Sequence, residues 1–114
     1  MTLSIASLRD SQGDSMFYDE DFRRMIEEHR IYLQNADGTD WRALEPAEAW
    51  RWRFDFYGLL RSMDIPEHLR WIYLRVNNLV STEDYDGLMT TIMIPSYTAI
   101  QSLSAIFTNQ YRTS

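Results

Sequence analysis

The chain has 114 residues, no cysteine and a formal net charge of −6 at pH 7. This length suits one domain that buries about two-thirds of the surface of its unfolded chain, so folding requires neither a metal nor a disulfide. The lack of cysteine excludes disulfide frameworks, thiolate metal sites and cysteine nucleophiles. The acidic balance argues against general affinity for nucleic acid, because such binding requires a basic face.

Composition also limits the class of protein. Hydrophobic residues make up 45% of the chain and aromatic residues 14%, which is enough to build a packed core. No apolar run of about 18 residues or secretory signal is present, so we expect a cytoplasmic location with no membrane partner. All 11 basic residues are arginine. Arginine is enriched in protein interfaces where lysine is depleted, which favours protein contacts, although an arginine-rich host composition is an alternative explanation.

Residues 1–16 are predicted to form an extended N-terminal arm, followed by a single helical domain at 17–114. Leu3, Ile5 and Leu8 stand among Ser and Thr without a regular period, and a turn-favouring cluster of Asp, Gly and Ser follows them. We predict that these three apolar side chains dock on a neighbouring subunit. Simple fraying of the terminus is the alternative.

The predicted fold class is mainly α, a small four-helix domain with room for one short strand or hairpin. The helices are expected at 19–34, 46–63, 66–78 and 96–111. In the first, Phe22, Ile26 and Leu33 share one face with His29, which we interpret as a core histidine. The branched residues of 88–94 favour a short strand, and a buried helical turn is the alternative. Residues 39–45 are expected to form an irregular connection.

The aromatic segment 50–57 is predicted to lie within the second helix. Its strict apolar–polar alternation also fits a strand, but Pro46 in a first-turn position and the apolar continuation to Met63 favour a helix. Trp52 and Phe56 then share a face with Leu59, Leu60 and Met63, and the other rings form an adjoining face. The combined apolar arc is about twice as wide as the stripe of a surface helix. The segment should therefore pack from two sides.

The second of these faces supplies the predicted interface. The face carries Trp50, Phe54 and Tyr57, and the predicted interface also includes the neighbouring Arg51 and Arg53. Arginine beside aromatic rings is the composition of protein-interface hot spots. Base stacking with phosphate contacts would use the same residue types, but the acidity of the chain counts against it. Rings that simply fill the core are the remaining alternative.

No catalytic residue, cofactor, metal site or small-molecule substrate is predicted, so the chain is not expected to be an enzyme. Residues 84–87 (DYDG) match part of a calcium loop, but Thr82 and Met93 then stand where acidic ligands are required. His29 and His68 lack the spacing of metal ligands. The sequence also contains no glycine-rich phosphate loop and no nucleophile elbow.

Residue order in the last third of the chain carries a resemblance to a known family. The residues concerned are 76–81 (VNNLVS), 84–87 (DYDG), 94–97 (IPSY) and Ile100. In these stretches the chain resembles small structural subunits of tailed-bacteriophage virions, whereas its first two-thirds match no such family. The resemblance implies a non-enzymatic neck, tail or baseplate component that contacts copies of itself and other virion subunits. The alternative is a small cytoplasmic adaptor or regulatory protein that binds one protein partner.

Overall fold

The computed structural model describes residues 15–112. Within that range the chain forms six α-helices with defined bounds and one two-stranded antiparallel sheet, and residues 15–16 are also helical. In chain order the elements are α1 Glu20–Glu28, α2 Arg30–Asn35, β1 Asp40–Ala43, α3 Pro46–Arg51, α4 Phe56–Ser62, α5 Arg70–Val76, β2 Thr91–Ile94 and α6 Tyr97–Arg112. Single 3-10 turns lie at Glu67–Leu69 and Thr82–Asp84. The mainly helical class is confirmed, but the predicted count of four helices is wrong.

The first predicted helix is present but divided. Asp19 caps α1, since its Oδ1 accepts hydrogen bonds from the backbone N–H groups of Asp21 at 2.8 Å and Phe22 at 3.2 Å. The helix stops at His29, which has φ −105° and ψ 19°. The His29 ring is half-buried, and its Nδ1 donates to the Met25 carbonyl oxygen at 2.7 Å. A satisfied histidine on the apolar side was predicted, whereas the break between α1 and α2 was not.

The predicted continuous helix over 46–63 is wrong, and so is its strand alternative. Residues 52–55 form a turn between α3 and α4, and Phe54 in that turn has φ 64°. Asp55 then starts α4, because its Oδ1 accepts from the Gly58 N–H at 2.9 Å. Gly58 leaves space for this cap, since a Cβ there would lie 2.4 Å from Asp55 Oδ2 and 2.6 Å from Trp52 Cε3.

The two strands come from segments far apart in the sequence. β1 pairs with β2 in the register Asp40↔Ile94 to Ala43↔Thr91. The strand predicted within 88–94 is therefore confirmed over Thr91–Ile94, whereas the irregular connection predicted at 39–45 is wrong. On the other side of β2, the Asn77 side chain accepts from the Met93 N–H at 2.7 Å and donates to the Met93 carbonyl at 3.0 Å. The Asn77 side-chain amide thus hydrogen-bonds both the N–H and the carbonyl of Met93 on the edge of β2 where a third strand could pair.

The core is centred on α5. This helix contacts α2, α4 and β2, and Trp71–Leu74 and Val76 are all buried. The largest side chains that are fully buried are Phe22, Ile26, Leu33, Phe56, Leu59, Leu60, Ile72, Val76, Tyr85, Ile92 and Ile100. Of the inner face predicted for the second helix, Phe56, Leu59 and Leu60 are buried, whereas Trp52 and Met63 are only half-buried and lie outside α4. Trp50 and Phe54 of the other predicted face are exposed, whereas Tyr57 is half-buried.

Candidate functional site

The turn between α3 and α4 carries an exposed aromatic surface, defined here as Trp50, Arg53 and Phe54. Trp50 is 51% exposed and Phe54 is 60% exposed. The Arg53 guanidinium carbon lies 4.5 Å from the centroid of the Trp50 ring, and Arg53 Nη1 donates to the Trp50 carbonyl at 3.1 Å. Stacking and hydrogen bonding therefore hold the guanidinium and the indole together as one unit.

Gly87 packs directly behind this pair. A Cβ at Gly87 would lie 2.7 Å from the Cβ of Arg53 and 3.3 Å from Trp50 Cε3, and its φ of 81° is one that L side chains rarely adopt. Any larger residue would therefore push Arg53 and Trp50 out of place. Sequence reasoning considered Gly87 only within the rejected calcium-loop match and the family resemblance, and its distance along the chain from residue 50 gives no indication of this contact.

Tyr85 forms hydrogen bonds both to α3 and to the turn that follows it. Its hydroxyl donates to the Ala49 carbonyl at 2.8 Å, and its own carbonyl accepts from the Phe54 N–H at 2.6 Å. The ring is buried and lies 5.5 Å from the Phe56 ring. Burial, aided by the negative charges of Asp86 and Glu48, raises the pKa of Tyr85 to about 12. The hydroxyl therefore remains a hydrogen-bond donor at neutral pH.

The backbone of Phe54 is strained. A bulky residue with φ 64° is an outlier, since the left-handed conformation costs an L residue about 1–2 kcal/mol. Burial of the ring does not offset this cost, because most of the ring remains exposed. Strained positions that the rest of the fold holds in place cluster at functional sites. Phe54 therefore has two independent features of a contact residue.

The other predicted interface residues are placed elsewhere. Arg51 is exposed and lines a shallow depression with Trp52 and Glu48. Tyr57 is half-buried and lines a different groove, together with Arg23 and Trp71. Leu3, Ile5 and Leu8 lie outside the described residues, so their docking remains a prediction. The structure thus brings Trp50, Arg53 and Phe54 together and assigns Tyr57 to another site.

This second site, called the arginine groove, is lined by residues from α1, α4 and α5 and from the segment after α5. Its volume is about 390 Å³, and its lining residues are Arg23, Arg24, Glu27, Tyr57, Trp71, Leu74, Arg75 and Val80. Arg75 Nη2 lies 2.6 Å from Glu27 Oε1, and this hydrogen bond lowers the pKa of Glu27. Arg24 pairs with Asp21 at 3.3 Å. The Arg23 guanidinium instead lies 5.2 Å from the Trp71 ring centroid and 5.8 Å from that of Tyr18.

Trp71 contributes an unsatisfied donor to the arginine groove. The side chain is only 9% exposed, and its indole Nε1 has no hydrogen-bond acceptor among residues 15–112. A buried donor left without a partner costs about 1–3 kcal/mol. Sequence reasoning assigned neither Trp71 nor Arg23 to a binding site, and it predicted only that residue 71 lies in the helix expected at 66–78.

Neither a metal site nor a membrane-spanning helix is found within residues 15–112. No three His, Asp or Glu side chains there are grouped as a metal ion would require, and no helix there has the length and apolar character needed to cross a membrane. Comparisons of the chain with protein-family models, curated proteins and solved structures find no significant match.

Proposed function

We propose that the protein is a non-enzymatic interaction subunit and that the aromatic surface is its principal protein contact. The observation that carries this proposal is the exposed pair Trp50 and Phe54, with Phe54 held in a strained backbone conformation. An exposed ring that the fold maintains at a cost in stability is explained by a partner that buries it.

The chemistry of the surface indicates what that partner presents. Tryptophan and arginine are enriched among interface residues whose truncation costs most binding energy, and each buried aromatic side chain removes about 150–250 Å² from water. The guanidinium of Arg53 is stacked on Trp50, so its outer N–H groups remain available to an acceptor. A complementary partner therefore offers an apolar pocket for Phe54 beside a carboxylate or carbonyl group for Arg53.

The assembly we propose is a tailed-bacteriophage neck, tail or baseplate, in which copies of this chain contact each other and other virion subunits. Support for this finer assignment comes from the residue order in 76–100. The alternative is a small cytoplasmic adaptor that uses the same aromatic surface to bind one different protein. These two functions differ in whether the isolated chain associates with itself.

Sedimentation of the purified protein over a range of concentrations tests the proposal. We expect wild type to form oligomers and Trp50→Ala to lower the association constant by at least about tenfold, because it removes a central contact. Trp41→Ala is the matched control, since Trp41 is 60% exposed but lies on β1. Melting temperature and circular dichroism establish that each variant is folded.

Two outcomes would count against parts of the proposal. Equal self-association of wild type, Trp50→Ala and Trp41→Ala would exclude the aromatic surface as the contact. A wild-type protein that stays monomeric at every concentration would contradict self-assembly and favour the adaptor.

A further inference from the structure

We propose that the arginine groove is a second binding site, specific for an acidic peptide segment of a partner protein in which a carboxylate lies beside an apolar side chain. The groove is separate from the aromatic surface, since neither Trp50 nor Phe54 lines it. Three features of the groove specify the ligand: an arginine without an acidic partner, an unsatisfied indole donor and an exposed apolar rim.

The charge of the groove is opposite to that of the chain as a whole. The net charge of the protein is −6, yet the groove is lined by three arginines and a single carboxylate. Arg24 and Arg75 pair with Asp21 and Glu27. Among the described residues, no carboxylate pairs with Arg23, whose guanidinium rests on two aromatic rings. Arg23 is therefore the cation available to a ligand.

Two positive charges, those of Arg23 and Arg70, lie near the Tyr57 hydroxyl. Burial is the main influence on this hydroxyl and raises its pKa, while the nearby guanidinium groups of Arg23 and Arg70 act in the opposite direction. Arg70 Nε donates to the Ile65 carbonyl at 3.0 Å, which fixes that side chain beside α4. An anion bound near Tyr57 would therefore be close to two guanidinium groups as well as a phenol hydroxyl.

The indole of Trp71 adds a directional donor. Its Nε1–H is buried and has no acceptor within residues 15–112, and the Arg23 guanidinium lies over the same ring. In the proposed complex, Arg23 moves toward the bound carboxylate and the N–H becomes accessible to it. One carboxylate oxygen can then accept from Trp71 while the other accepts from Arg23, and hydrogen bonds to a charged group are stronger than those between neutral groups.

The other end of the groove is apolar and selects a peptide over a free anion. Leu74 is buried in its wall, and Val80 on its rim is 76% exposed. Phosphate would satisfy the arginines but would leave Val80 in water. An extended peptide places an acidic and an apolar side chain within one short segment, which matches the polar and apolar ends of an open groove.

Nuclear magnetic resonance of the full-length ¹⁵N-labelled protein provides the test. The chain has four tryptophans, so it has four indole N–H signals, and Trp71→Phe identifies the one from Trp71. The probe is the capped peptide Gly-Leu-Glu-Leu-Gly, and the capped peptide Gly-Leu-Gln-Leu-Gly is its control. We expect the glutamate peptide to shift the Trp71 signal to saturation, with the glutamine peptide at least about tenfold weaker.

Substitutions locate the binding. Arg23→Gln should weaken the glutamate peptide at least about tenfold, because the unpaired guanidinium is lost. Arg53→Gln is the matched control, since Arg53 is also stacked on a tryptophan but lies on the aromatic surface. Its binding should equal that of wild type. Both arginines are exposed, so the two variants should fold.

Four results would overturn the proposal. The first is a Trp71 signal that does not respond to the glutamate peptide, and the second is equal binding of the two peptides. The third is inorganic phosphate shifting the signal as the glutamate peptide does, which would indicate a simple anion site. The fourth is a changed Trp71 signal after deletion of residues 1–14 with no probe added, which would show that this chain's own N-terminal segment occupies the groove.

Discussion

At the scale of single residues, Phe54 links backbone conformation to surface chemistry. Its φ of 64° reverses the chain between α3 and α4, and its N–H donates to the Tyr85 carbonyl. A glycine would adopt this conformation without strain, but it would remove the ring from the aromatic surface. Phenylalanine at this position therefore lowers the stability of the fold but places an aromatic ring on the surface.

The variants Phe54→Gly and Phe54→Ala should distinguish the effect of backbone strain on stability from the effect of the ring on self-association. Both remove the ring, but only glycine relieves the left-handed backbone, so Phe54→Gly should be more stable than Phe54→Ala by about 1 kcal/mol. Urea unfolding measures this difference. Both variants should lose self-association to the same extent. Equal stability of the two would show that residue 54 is not held at positive φ.

At the scale of elements, Asn77 joins α5 to the sheet. Besides its two hydrogen bonds to Met93, its Nδ2 donates to the Tyr73 carbonyl at 2.8 Å. From the sequence, residues 76–81 predict the end of the third helix and carry part of the family resemblance, but they do not indicate this contact with β2. In the structure, one amide at the end of a helix completes the hydrogen bonding of a strand.

Asn77→Leu should therefore weaken the sheet. The substitution keeps the approximate size of the side chain but leaves the Met93 N–H and carbonyl without partners, at a cost of about 1–3 kcal/mol for each buried group. Asn35→Leu is the control, because Asn35 makes the same kind of bond to the Ile31 carbonyl, at 2.8 Å, but has no strand to hold. Its effect should stay within about 0.5 kcal/mol.

Urea unfolding compares these two asparagine variants, and hydrogen exchange follows the Met93 amide directly. That amide should exchange faster in Asn77→Leu and at the wild-type rate in Asn35→Leu. Similar losses of stability in both variants would mean that the Asn77 contacts with β2 contribute nothing beyond a helix-end bond.

At the scale of the whole molecule, stability depends on neutral phenol groups inside the fold. Burial raises the pKa of Tyr57, Tyr73 and Tyr85, and that of Tyr85 reaches about 12. An unfolded tyrosine ionises near pH 10, at about its ordinary pKa. Above that pH the unfolded chain binds fewer protons than the folded chain. The stabilisation linked to these groups is therefore fully present below about pH 10 and is lost as the pH rises toward about 12.

Wild type should accordingly lose stability between about pH 10 and 12, and Tyr85→Phe should show a shallower decline. At pH 7 the same variant should be less stable by about 1–3 kcal/mol, because the buried Ala49 carbonyl loses its hydrogen-bond donor. Chemical unfolding at a series of pH values measures both effects. An alkaline decline as steep in Tyr85→Phe as in wild type would assign the pH dependence to other groups.

The sequence by itself determined the mainly helical class and several element boundaries, because those signals are local. The first predicted helix was expected from residue 19, and α1 begins at Glu20, with Phe22 and Ile26 as its buried residues. Ser96 begins the last helix, where its Oγ accepts from the Ala99 N–H at 3.2 Å. Capping and helical spacing act between residues a few positions apart, so they can be recognised without tertiary contacts.

The tertiary structure decided where the aromatic residues point. Trp50, Arg53 and Phe54 could be selected from composition, but the turn that exposes them requires Tyr85 and Gly87, and the strand at 40–43 requires its pairing with 91–94. The arginine groove likewise exists only where α1, α4 and α5 meet. Periodicity describes how one segment is organised along its own axis. It does not describe hydrogen bonds and packing with residues far along the chain, and those contacts determined which rings are exposed and which are buried.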